Sequence, residues 1–190
     1  MRRTAAQTRE HILEVAHELF YWQGIRATGI DRVAAEAGVA PTTLYRLFES
    51  KDDLVAAYVD RAHDGYRRWF ADAVASAGAD PRKQIVALFA QLTGQVQPDR
   101  CRGCPFLMAL AEFPDPDSAP HRNAVAMKAW VRAEFGALAE VVAPATAAVL
   151  ADQLALAMEG VYASVQALGV SGPVANIGPM IELLLDAHIG

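Results

Sequence analysis

Cysteine is scarce: the 190 residues hold two, Cys101 and Cys104. Two thiols cannot staple a chain of this size, so a disulfide-built secreted domain is excluded and a cytoplasmic protein with reduced thiols is expected. No uninterrupted apolar run approaches the roughly 18 residues of a membrane span. The charged start Met1-Arg2-Arg3 has no apolar stretch behind it, so neither a span nor a secretory leader is expected. Sustained period-two alternation is also missing, which leaves little room for a sheet.

Chemistry-bearing motifs are equally few. The five histidines (His11, His17, His63, His121 and His188) are scattered. There is no Gly-rich phosphate loop, no Gly-x-Ser-x-Gly and no His-Glu-x-x-His. No catalytic residue, metal or cofactor is expected, and an enzyme is not. Positive charge is not in excess, since 17 Lys/Arg stand against 22 Asp/Glu for a net −5. The distribution matters more than the total. Residues 1–51 carry seven basic and six acidic side chains, whereas residues 52–190 carry ten and sixteen. A slightly basic head on an acidic body suits a chain of which only the head meets an anion.

What the sequence does have is helix. At 53% hydrophobic, it has the material for a packed core and is not disordered. Apolar residues recur at three and four: Ile12, Leu13, Ala16, Leu19 and Phe20; then Leu54, Tyr58, Ala62, Tyr66, Trp69 and Phe70; then Leu150, Leu154, Ala157, Val161 and Val165. The pattern predicts an all-α protein of about nine helices. Gly24 ends the first, and Thr28 with Asp31 opens the second with a capping-box-like pair. Pro41 starts the third, Ser50-Lys51-Asp52-Asp53 the fourth, and Asp80-Pro81 the fifth. A short apolar helix spans 105–113 and another ends near Ala143-Pro144. The last two run over about 145–168 and 173–188.

The stretch from Gly24 to Lys51 reads as two short helices joined by a tight turn at Gly38-Val39-Ala40. Ala34, Ala35 and Ala37 let the helices approach, and Ile30, Val33, Val39, Leu44 and Phe48 supply a small core. That is a helix-turn-helix, completed to three helices by the first. Its second helix presents Pro41, Thr42, Thr43, Tyr45 and Arg46, whose hydroxyls and guanidinium suit phosphates and base edges. Lys51, at the next helix start, combines a cation with free N–H groups, which suits a phosphate. The competing reading is a plain helical subdomain with Tyr45 packed inside.

These elements resemble the DNA-binding head of the tetracycline-repressor-like (TetR) family. They are Gly24, Thr28, Val33-Ala34, Ala37-Gly38-Val39, Thr43-Leu44-Tyr45-Arg46-Leu47-Phe48 and Ser50-Lys51, in that order, over about the first sixty residues. The resemblance implies a helix-turn-helix domain over 1–51 and a helical effector-binding and dimerisation domain over 52–190. It implies that Thr28, Thr43, Tyr45 and Lys51 meet phosphates, with Thr42 and Arg46 nearer the bases. Many members carry histidine or tyrosine where this chain has Leu47. The implied partners are double-stranded DNA with a palindromic operator, a second copy of the chain, and a small-molecule effector; no membrane is implied.

In the body, Leu150, Leu154, Met158 and Val161 on one helix, with Ile177, Met180, Ile181 and Leu184 on the last, are the expected dimer interface. The alternative is that these stripes close the monomer's own core. Trp69, Phe89, Phe106, Met108, Phe113, Met127 and Trp130, with Glu112, Tyr162 and Gln166 as polar contacts, are candidates for an effector pocket. Their composition predicts a largely apolar or aromatic effector. Cys101-Arg-Gly-Cys104 lacks the strands of a thioredoxin motif and the ligands of a zinc site, with only His121 nearby. A thiol switch with Arg100 and Arg102 stabilising thiolates remains an alternative to ordinary helix-start residues, with Cys104 half-buried. A helical ligand-binding protein whose head does not touch DNA is the reading from another class.

Overall fold

The computed structural model describes residues 3–189, so Met1 and Arg2 of the charged start lie outside it. All regular elements among them are helical: α1 (Ala5–Gln23), α2 (Ile30–Glu36), α3 (Pro41–Leu47), α4 (Lys51–Ser76), α5 (Pro81–Gln95), α6 (Pro105–Glu112), α7 (Ala119–Val142), α8 (Ala147–Leu168), a 3-10 turn (Pro173–Asn176) and α9 (Ile177–Ile189). Two compact units share them. Residues 1–64 and 105–125 form the first, and 65–104 with 126–190 the second. Residue 51 therefore falls inside the first unit, which also takes the start of α4, α6 and the start of α7.

The helix ends follow local chemistry, with two differences from the sequence reading. Thr4 and Gln7 close a capping box on α1, and Gly24, at φ 97°, stops it. Ser50 Oγ accepts the Asp53 N–H at 3.1 Å to start α4, and Asp80 accepts the N–H groups of Arg82 and Lys83 to start α5. Thr28 does not cap α2. The N-cap is Gly29, without a side-chain bond, because the Thr28 hydroxyl is drawn inward. The last helix starts later than residue 173. Pro179 has no N–H and its ring excludes a regular α-helical carbonyl four residues earlier. The chain enters through the 3-10 turn instead, and α9 begins at Ile177 with Pro179 in its first turn.

Ile12, Ala16, Phe20, Val33, Leu44, Phe48, Leu54 and Tyr58 are buried in the first unit, with Phe20 edge-on to Tyr58. In the second unit, Phe70 and Phe89 pack on Phe135, and Leu150, Leu154, Ile181 and Leu185 are buried with them. Helix α8 is long and apolar enough to cross a membrane by length and composition. The structure gives that apolarity another use. Its inner face is bundle core, and its two acidic residues, Asp152 and Glu159, pair with Arg132 and Lys128.

Candidate nucleic-acid interface

Helix α3 divides sharply by face. Leu44 (0% exposed) and Phe48 turn inward, and this fixes which side chains point out. Pro41, Thr42, Tyr45 and Arg46 are exposed, and Thr43 is half-buried. Tyr45 is 48% exposed, which overturns the reading that packs it inside. The turn before α3 is closed by Gly38 N–H to Ala35 O and Val39 N–H to Ala34 O, both 3.0 Å, with Gly38 at φ 63° where a side chain would strain the backbone. Helix α1 braces the pair. His11 Nε2 lies 3.2 Å from Ala37 O, and the Arg9 guanidinium sits 5.1 Å over the Phe48 ring. Arg3, Thr8, Thr43 and Arg46 rim a groove of about 430 Å³ beside this turn. Two guanidiniums and two hydroxyls along one groove form a surface for an anionic backbone.

Of the expected phosphate contacts, Thr28 is turned inward and Lys51 carries an additional bond within the head. The Thr28 side chain is fully buried, and its hydroxyl donates to Gly24 O at 2.9 Å. It pins the α1–α2 loop and cannot reach a phosphate, so that expectation is corrected. Lys51 Nζ donates to Arg26 O at 3.3 Å and is half-buried. Burial holds its pKa below the ordinary lysine value, against the opposing pull of Glu112 and Asp52. The ammonium fastens the start of α4 to the α1–α2 loop.

The ten pocket candidates are divided between the two units. Phe106, Met108, Glu112 and Phe113 belong to the first unit, and Trp69, Phe89, Met127, Trp130, Tyr162 and Gln166 to the second. Glu112 is committed to the α1–α2 loop: its carboxylate accepts the N–H groups of Ile25 (3.0 Å) and Arg26 (2.6 Å). Phe106, Phe89 and Met127 are each 1% exposed, and Phe89 stacks on Phe135. These are core residues, as large apolar side chains at helical spacing usually are.

What the second unit does bring together is a polar-aromatic cluster. Lys128 Nζ donates to Cys104 Sγ at 3.0 Å and is paired with the Glu159 carboxylate. Tyr162 donates to the Tyr66 oxygen, and Tyr66 donates to Met158 Sδ at 2.7 Å. Burial pushes both phenols above their ordinary pKa of 10. The Trp69 ring lies 4.8 Å from Tyr66, and both Trp69 Nε1 and Glu159 Oε2 are buried with no hydrogen-bond partner among the described residues. Lys128 escaped the sequence reading. Its signal was a single lysine inside the apolar run Ala124-Val-Ala-Met-Lys128-Ala-Trp-Val131. Cys104 is buried rather than half-buried, and neither cysteine is in a disulfide.

The expected dimer face is also revised. Leu150, Leu154, Met158 and Ile181 are at most 2% exposed in a single chain and close its core. Val161 and Ile177 are nearly as buried, at the lining of an open apolar groove of about 690 Å³. Met180 and Leu184 reach its surface, together with Leu156, which is 71% exposed. The most apolar stripe of each helix faced the chain's own core. The adjoining stripe is the one left open.

The exposed face of α3, carried on two short helices and a tight glycine turn, defines a helix-turn-helix DNA-binding protein. The model of bacterial regulatory proteins of the tetR family matches residues 12–58. An HTH-type transcriptional regulator of Staphylococcus aureus (strain USA300) is 39% identical over 64 residues, 34% of this chain. The match spans about a third (35%) of the length of that curated relative. Solved structures extend the likeness over nearly the whole chain. A TetR-family transcriptional regulator from Streptomyces coelicolor is 31% identical with a TM-score of 0.91, covering 97% of each chain. A tetR-type regulator from Streptomyces avermitilis is 32% identical with a TM-score of 0.83, covering 95% of this chain and 97% of its own. The chain belongs to the TetR family and is a DNA-binding transcriptional regulator.

Proposed function

We propose that the protein is a cytoplasmic, homodimeric repressor that leaves a palindromic operator when a small molecule enters the second unit. The observation that carries the DNA half is the division of α3, with Leu44 and Phe48 inside and Thr42, Tyr45 and Arg46 outside. Tyr45, Thr43 and Lys51 are assigned to phosphates, Pro41 to the helix entry, and Thr42 and Arg46 to base edges. Two heads would sit in successive major grooves roughly 34–36 Å apart. The dimer is assigned to the open groove of α8 and α9, where Leu156, Met180 and Leu184 of two copies would form a four-helix contact.

The effector is assigned to the cluster around Tyr66, Trp69, Glu159 and Tyr162. Orphaned buried polar atoms there favour a guest that is aromatic or conjugated and also carries polar groups, a narrower class than an apolar one. Linkage requires that DNA weaken effector binding by the factor by which the effector weakens DNA binding. A hundredfold loss needs only about 2.7 kcal/mol of differential binding. Mobility shift against the DNA upstream of its own coding region tests the reading. Retarded DNA that is released by a compound bound to the second unit supports it; no shift at low salt would refute it. A thiol-responsive variant of the same regulator is favoured by one contact, between Lys128 and Cys104.

A further inference from the structure

We propose that Cys104 is a covalent acceptor for small α,β-unsaturated carbonyl compounds, with Lys128 as the residue that makes its sulfur nucleophilic. The inference rests on placing the effector site at this cluster, but it concerns a chemical step that non-covalent effector binding does not require.

Three observations converge on it. The Lys128 ammonium stands 3.0 Å from Cys104 Sγ, and a cation at that distance favours thiolate over thiol. Glu159 pairs with that same ammonium, so the lysine is tethered within the cluster. The surroundings suit a flat conjugated guest with a carbonyl. Tyr66, Trp69 and Tyr162 supply aromatic surface, and the Trp69 Nε1–H is a buried donor awaiting an acceptor. The other titratable groups of the cluster are Tyr66, Tyr162, Glu159 and Cys101. Both phenols are held neutral by burial, and Lys128 is a cation bonded directly to the sulfur. Gly103 keeps the loop close: it sits at φ 135°, and a Cβ there would come within 3.2 Å of Gln166 Oε1.

The step balances without an oxidant. The thiol proton leaves to solvent as the thiolate forms beside Lys128. Sγ attacks the β-carbon, the S–C bond forms as the C=C π bond breaks, and the electron pair moves to the carbonyl oxygen. Lys128 protonates that enolate and regains a proton from solvent. The sum is addition of S–H across C=C, with nothing oxidised or reduced.

The test uses the full chain and methyl vinyl ketone at pH 7, with adduct formation followed by intact mass and located by peptide mapping. Wild type should label at Cys104 ahead of Cys101. Lys128→Met should label Cys104 about tenfold more slowly, the effect of one pKa unit in thiolate population. At pH 9 to 10 the gap should close, because the thiol then ionises without help; a merely structural role for Lys128 would not restore the rate with pH. Lys128→Arg should keep a rate near wild type, which guards against a misfolded methionine variant. Equal rates in wild type and Lys128→Met at pH 7, or labelling of Cys101 alone, or no adduct, would each overturn the proposal. The readout is the adduct itself, so it stands or falls separately from any effect on DNA.

Discussion

Glu112 and Arg26 are locked to each other twice. The Glu112 carboxylate accepts the Arg26 N–H at 2.6 Å, while Arg26 Nε donates to the Glu112 carbonyl at 2.6 Å. The same carboxylate takes the Ile25 N–H, and the Arg26 guanidinium lies over the Phe113 ring at 5.7 Å. The last residue of α6 thus holds the loop between α1 and α2, and Lys51 bonds the carbonyl of that same Arg26.

Glu112→Ala should therefore cost about 2 kcal/mol of stability, since two backbone N–H groups lose a charged acceptor. Glu112→Gln keeps one acceptor oxygen and should cost less. Urea unfolding followed by circular dichroism measures both. An alanine variant as stable as wild type would show that the clamp is not energetically important.

Thr28 and Tyr45 should part company under mutation. Thr28→Val leaves the buried Gly24 carbonyl without its hydroxyl partner and should destabilise by about 1–3 kcal/mol. Tyr45→Phe removes one exposed hydroxyl and should leave the melting temperature unchanged while weakening operator binding. Thermal melts beside DNA titrations separate the two; a Thr28→Val variant that folds normally yet binds DNA poorly would restore Thr28 to the interface.

Most of this fold was legible because helix periodicity and end signals are local. Pro41, Asp80-Pro81 and Gly24 mark their helix boundaries in the structure as they do in the sequence. The α3 face was readable for the same reason: one turn of helix places Leu44 and Phe48 opposite Tyr45 and Arg46. What periodicity cannot supply is rotation. It finds the apolar stripe of α8 but not whether a second stripe beside it, through Leu156, is also left bare. Long-range partners were equally out of reach. Nothing local tells that Glu112 will meet a loop 86 residues earlier, or that Lys128 will find Cys104.

The revised dimer face makes a direct contrast. Leu156→Glu sets a charge on an exposed position and should give folded monomers by analytical ultracentrifugation. Leu150→Ala, in the core, should lower stability by about 2–5 kcal/mol while the surviving folded protein stays dimeric. Dimers in the Leu156→Glu variant would move the interface elsewhere.

Acid should weaken the head through His17. Its ring stacks on Tyr21, and burial holds its pKa below the ordinary 6.5, outweighing the upward pull of Glu18. Above pH 6.5 the imidazole is neutral in both states and nothing is lost. As pH falls through 6.5 the unfolded chain takes up the proton first, so stability declines until the lower native pKa is passed. His17→Gln should flatten the denaturation midpoint between pH 7 and 5 relative to wild type. An equal slope in the two proteins would contradict the assignment.

The outward face of α3 is most directly tested by the salt dependence of operator binding. Operator selected from the upstream region would be titrated by fluorescence anisotropy at several salt concentrations, with wild type, Tyr45→Phe, Arg46→Ala and Lys51→Ala. Affinity should fall steeply, with a log–log slope near −0.9 for each phosphate neutralised. Lys51→Ala should make that slope shallower by about one, and Arg46→Ala should also change which operator is preferred. A flat salt dependence, with all four proteins binding alike, would contradict the claim that this face grips DNA.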